Sequence, residues 1–319
     1  MLPAFLTTVL FSLSALFAQR TARALGGITA NFWRMMLATL FLGLWSHSFG
    51  AGFQGPALPW LFVSGILGFG IGDVAMFQAL PRIGSRLCIL LVHCLATPTA
   101  AVTEYVWLGS TLSLSQMVCI AISLLGVAVA VAPVPGSTPR SSSYGLGIFF
   151  GLLAMLGQSF GAVLSRKASQ VASLAGHPLN GIDAAYQRAW GGVLISLGVF
   201  SIYQWQRRRE AAAGGSPSQP SNVPTEASAS PPSASRVRWW VLANTLAGPV
   251  IGVSCYQWAL ASERTGVVLP IVALTPLVII PFAHWLEGER TTAREVIGGI
   301  IAVGGVAALT RITHGGSPS

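Results

Sequence analysis

Residues 68–80 read GFGIGDVAMFQAL and residues 248–260 read GPVIGVSCYQWAL. Five of the thirteen positions are identical: Gly68/Gly248, Ile71/Ile251, Gly72/Gly252, Ala79/Ala259 and Leu80/Leu260. The likeness continues outward. ATPTAAVTEYVWLGS (96–110) aligns with LTPLVIIPFAHWLEG (274–288), matching Thr97-Pro98 to Thr275-Pro276 and Trp107-Leu108 to Trp285-Leu286. Gly126 and Gly304 keep the same offset, and Arg34 and Arg188 stand at equivalent places near the start of the second helix of each half. The chain is therefore a duplication.

Each unit of that duplication is hydrophobic. Charged residues are 8% of the 319 and the mean hydropathy is +0.66, against roughly 25% charge in an ordinary soluble domain. Apolar stretches run over 2–19, 31–47, 59–80, 86–108, 113–132, 144–165, 184–205, 239–261, 267–286 and 294–311. Backbone groups find no water in hydrocarbon, so segments of this length are expected as helices. The expectation is an all-α integral membrane protein of ten transmembrane helices, multi-pass, lying in the inner membrane if the source is bacterial. Five helices per half is an odd number, so the second half enters from the opposite side and the two five-helix repeats are inverted. Their bounds are 1–132 and 144–311, with a connector at 133–143 and a tail at 312–319. The stretch 206–238 is rich in Gly, Ser and Pro and reads as a disordered loop.

The net charge of +9 fits loops beside membrane lipid better than nucleic acid, since no basic run is interleaved with aromatics. Cys88, Cys94, Cys119 and Cys255 lie in apolar stretches and form no CxxC. Lys167 is the single lysine and no GxxxxGK surrounds it, which excludes an ATP-driven pump; HExxH and metal-spaced Cys/His clusters are absent too. No cofactor is expected.

The pattern resembles the EamA type of the drug/metabolite transporter superfamily, on the two repeats, on Thr275-Pro276, on His284-Trp285-Leu286-Glu287-Gly288-Glu289-Arg290, and on Gly298 and Gly304. The first repeat departs from the family's turn, with Ser110 where Glu289 stands in the second. The resemblance implies ten helices, a small-molecule substrate (a metabolite, an amino-acid-like compound or a drug) and both termini in the cytoplasm. The cation count says otherwise: thirteen Lys/Arg fall on the side of the loops after the odd helices and five on the other, which places both termini outside. A reporter fused after Ser319 separates the two.

Gly68, Gly72, Ala75 and Ala79 form a narrow stripe repeated by Gly248, Gly252, Cys255 and Ala259, expected as packing seams. Asp73 lies off its stripe, with Tyr256 and Gln257 in the corresponding sector of the partner helix. A carboxylate in mid-span costs about 2.5–3.5 kcal/mol on insertion scales, which points to a cavity or a partner. His93, Thr97 and Glu104 share one face of the fourth helix, where a His and a carboxylate would couple cargo to protons. Gln158 is a cavity candidate on the sixth helix. Arg34 and Arg188 read as headgroup contacts, with anion binding as the alternative. The leading reading is a secondary transporter working by alternating access. The alternatives are a membrane-embedded enzyme using Asp73, His93 or Glu104, or a channel or non-transporting scaffold.

Overall fold

The computed structural model describes residues 1–109, 111–131, 144–212, 232–287 and 293–315. Every regular element among them is helical. The order is α1 (Leu2–Leu25), α2 (Gly27–Phe49), α3 (Leu58–Gly65), α4 (Asp73–Ile89), α5 (Leu95–Leu108), α6 (Leu114–Val131), α7 (Tyr144–Leu174), α8 (Gly181–Ala212), α9 (Ala234–Thr245), α10 (Ile251–Ser262), α11 (Thr265–Val272), α12 (Thr275–Glu287) and α13 (Ala293–Gly315). Three π-helical segments, Ile66–Gly72, Leu90–Cys94 and Leu246–Val250, join α3 to α4, α4 to α5 and α9 to α10. Pro249 lies inside the third of these, where its missing N–H loosens the helical ladder.

Five helical stretches are long and apolar enough to cross a membrane: Leu2–Leu25, Gly27–Phe49, Leu58–Ile83, Tyr144–Leu174 and Thr265–Phe282. Leu114–Ala130 and Val296–Leu309 are shorter apolar helices. Ten crossings were expected; the remaining helices are shorter or less apolar, and α5, α8, α9 and α10 also bury Glu104, Asp183, Arg188, Asn244 and Gln257.

Several boundaries differ from expectation. Helical backbone continues from Asp73 past Pro81 to Ile89, where separate helices were expected to end at 80 and begin at 86. The expected loop 206–238 is helical at both ends. Arginine is a good helix former, so α8 extends through Arg207–Arg209 to Ala212, with Arg209 stacked 3.9 Å from the Trp205 ring. At the other end Ser233 caps α9 by accepting from the Arg236 N–H. The middle of that loop, the connector 133–143, Ser110 and Glu289 lie outside the described residues. The last helix reaches Gly315, beyond the expected end at 311, and the final four residues of the tail are likewise outside.

Packing follows the duplication. α1, the first helix of one half, lies against α9, α10 and α12 of the other; α7, the first helix of the second half, lies against α3, α4 and α5. α2 packs on α8 and α6 on α13, so equivalent helices meet in pairs. The α6–α13 seam is made by absent side chains. A Cβ on Gly126 would sit 2.5 Å from the Ala302 nitrogen, and one on Gly298 2.6 Å from that of Ala130. Backbones approach this closely only at small residues. Gly304, the repeat counterpart of Gly126, faces open space, and Gly298 and Gly305 take its place in the seam.

Candidate functional site

Among the described residues, the crossing helices leave a polar cavity between the halves, of about 70 Å³, room for a handful of water-sized groups. α1, α2, α4, α7, α8 and α10 all contribute to its wall, as do all three π segments, through Gly68, Phe69 and Gly72, through Val92 and His93, and through Gly248. A π turn widens the helix and disturbs its hydrogen bonding, and such turns recur at functional sites. Both small-residue stripes work here as seams. Gly72 meets Gly157 of α7, and Gly252 meets the Phe11 ring of α1.

Six of the residues singled out from sequence line this cavity: Arg34, Asp73, His93, Gln158, Arg188 and Tyr256. Arg34 Nη2 donates to Asp73 Oδ2 at 3.0 Å, an ion pair with only 6% and 15% of the two side chains exposed. The guanidinium also lies 5.4 Å from the Phe77 ring. Arg188 is 1% exposed and stands over Phe69 at 4.6 Å and Tyr256 at 6.0 Å. Its Nε is buried with no hydrogen-bond partner, and so is the Tyr256 hydroxyl. Phe11 lies between His93 and Tyr256, 6.3 and 6.0 Å from their rings.

A cavity lined by buried cations and a carboxylate, contributed by both halves of a duplicated helical membrane protein, is the setting in which the sequence comparisons gain meaning. The model of the EamA-like transporter family matches residues 1–132 and 145–311. The chain belongs to that family. This EamA-like protein is thereby an integral, multi-pass membrane protein, and its family points to membrane transport of small molecules rather than to an enzyme. A solved structure described only as the crystal structure of a protein superposes with a TM-score of 0.69 at 16% identity, covering 99% of this chain and 98% of its own. That likeness concerns the fold. A search of curated proteins finds no match.

The two arginines of this EamA-like chain correct an expectation. They were placed in the first turns of their helices, near lipid headgroups. The apolar stretches that suggested this begin at 31 and 184, but the helices begin at Gly27 and Gly181. Both side chains are therefore about a turn deeper than expected and are buried, Arg34 against Asp73 and Phe77 and Arg188 between Phe69 and Tyr256.

Three other singled-out residues stand away from the cavity. Thr97 is fully buried and its hydroxyl donates to the His93 carbonyl at 3.2 Å. Glu104 accepts from both the backbone N–H (3.0 Å) and the hydroxyl of Thr265, at the N-terminus of α11 where the helix dipole favours a carboxylate. Gln257 donates to Ser165 at 3.1 Å. The shared helical face of His93, Thr97 and Glu104 thus spreads over two neighbourhoods. The side chains of His284 and Glu287 lie outside the described residues.

A second polar cluster was not foreseen as such. Asp183 accepts from Ser46, from the Ala51 N–H at 3.0 Å and from Asn180 at 2.9 Å, while Gln187 donates to the Gly52 and Gln54 carbonyls. It fastens the α2–α3 loop to the start of α8. The cavity walls Phe11, Phe69, Ser14 and Val253 were missed as well. From sequence, a Phe facing a cavity looks the same as one facing lipid, and Val253 is legible only as the divergent partner of Asp73.

Proposed function

We propose that this protein is a secondary transporter in which ten membrane-crossing helices, arranged as two inverted five-helix repeats, move a small-molecule cargo by alternating access. The cavity between the halves is its cargo site. One observation carries the reading: buried ionic and aromatic residues of both repeats converge on a single enclosed space, where each would otherwise cost insertion energy. Rocking one half against the other changes which membrane face that space meets. Asp73 and His93, both at the cavity, are the groups that would couple cargo to protons. Glu104, engaged by Thr265, does not serve in that role.

The enzyme reading, with Asp73, His93 or Glu104 as its groups, is not favoured by the family match. The test is counterflow in proteoliposomes containing the full chain, against a labelled panel of amino acids, small organic acids and amines. Counterflow of at least one compound is expected. Its absence across the panel, with folded protein in the vesicles, overturns the proposal.

A further inference from the structure

Arg34 and Arg188 are repeat equivalents, and so are Asp73 and Val253. In the first half the buried guanidinium meets its own half's carboxylate at 3.0 Å. In the second half the position that would supply the carboxylate holds valine, and Val253 lines the same cavity. Arg188 is consequently a fully buried cation that stacks on two aromatic faces, while Asp73, whose hydrogen bond goes to Arg34, acts on it only at longer range. Glycine makes the room for it: a Cβ on Gly68 would collide with Nη2, and one on Gly161 would come within 3.0 Å. A buried charge that is only partly compensated is costly. The cavity holds two arginines and one carboxylate, which sum to one positive unit beside His93.

We infer that Arg188 receives a single negative charge on the cargo, a carboxylate held by the guanidinium fork where the second half lacks the counterpart of Asp73. This rests on the transport reading for the word cargo, but the binding itself stands apart from it. The walls from Phe11, Phe69, Tyr256 and Val253 fit a small apolar body behind that carboxylate. A phosphate carries more than one negative charge at neutral pH and overshoots the balance.

The test uses the full chain in nanodiscs of phosphatidylcholine, with thermal unfolding read against butyrate, butyramide and inorganic phosphate. Butyrate is expected to raise the melting temperature and butyramide to leave it unchanged. Arg188→Gln is expected to weaken butyrate protection at least about tenfold, the loss of a charge-assisted hydrogen-bonding pair. Val253→Asp supplies the missing carboxylate; it is expected to abolish butyrate protection while the ligand-free protein melts no lower than wild type. Should that variant fail to fold, Arg188→Lys decides, since it keeps the charge, loses the fork and is expected to weaken butyrate without rescuing butyramide. Equal protection by butyramide, stronger protection by phosphate, or butyrate protection unchanged in the Arg188 variants overturns the inference. So does protection by phosphatidylglycerol discs that butyrate does not increase, which would assign the site to a lipid headgroup. Butyrate protection without any counterflow would sink the transport proposal alone; counterflow of a neutral compound without butyrate protection would sink this one alone.

Discussion

The two inter-half crossings solve one packing problem in different ways. Where α3 and the segment Ile66–Gly72 cross α7 and α8, backbone meets backbone. A Cβ on Gly65 would collide with the Arg188 carbonyl, one on Gly191 with that of Phe62, and one on Gly157 would lie 2.7 Å from the Gly72 Cα. Where α9 and α10 cross α1 and α2, side chains intervene. Phe11 lies against Gly252, Ser14 donates to Asn244 at 2.8 Å, and Thr7 reaches the Gly252 carbonyl at 3.4 Å. Backbone atoms in contact have no rotamers with which to adjust, whereas side chains can repack. The first crossing is the more rigid of the two, and the second has side chains that can repack.

The largest effect that breaks this comparison is expected from Gly65→Ala. Its methyl has no space beside the Arg188 carbonyl, so the loss should reach or exceed the ~3 kcal/mol upper end of usual overpacking costs. Melting followed with a thiol-reactive dye suits the measurement, because Cys88, Cys94 and Cys119 are buried. A variant that melts like wild type would show the crossing to be loose. Next is Asp73→Asn, which leaves Arg34 as a second uncompensated cation. A loss of about 3 kcal/mol is expected, the low end for breaking a buried pair, and the same melt reads it. Phe11→Ala should cost less, about 2 kcal/mol, since the ring is half-buried and its neighbours can close on the gap. It should also slow counterflow of any transported compound, by loosening the wall between His93 and Tyr256. The smallest effect is expected from Thr245→Ala, under about 1 kcal/mol, because that hydroxyl bonds only within its own helix, to Val241 at 2.8 Å. If Thr245→Ala matched Gly65→Ala, the two crossings would be equally rigid and the contrast would fail.

The repeat, the helical class and the burial of Asp73 against a partner were legible because hydrophobic length and internal likeness are local properties of the chain. Arg34 and Arg188 were misplaced in depth for an equally local reason. Each follows a polar-looking approach, ITANFW and IDAAYQ, which hydropathy cannot distinguish from an interface. Only the helix starts at Gly27 and Gly181 show that these turns are inside. Glu104 and Gln257 carried the right helical sector but the wrong neighbours. Their partners, Thr265 and Ser165, are 161 and 92 residues away in the chain, and no periodicity encodes such pairings. The π segments were likewise invisible, since a single wide turn leaves the hydrophobic pattern nearly unchanged.

The pairing of Asp73 with Arg34, and the valine at the equivalent position 253, have a consequence for how such a pocket diversifies. The two arginines are seated among glycines and ring faces that also hold the scaffold together, so they are expensive to alter. Positions 73 and 253 each accept or omit one carboxylate. With the arginines fixed, those two sites bring the sum over arginines and carboxylates to two, one or zero positive units. A duplicated gene thereby carries two positions at which the charge of the pocket can change while both buried arginines stay in place.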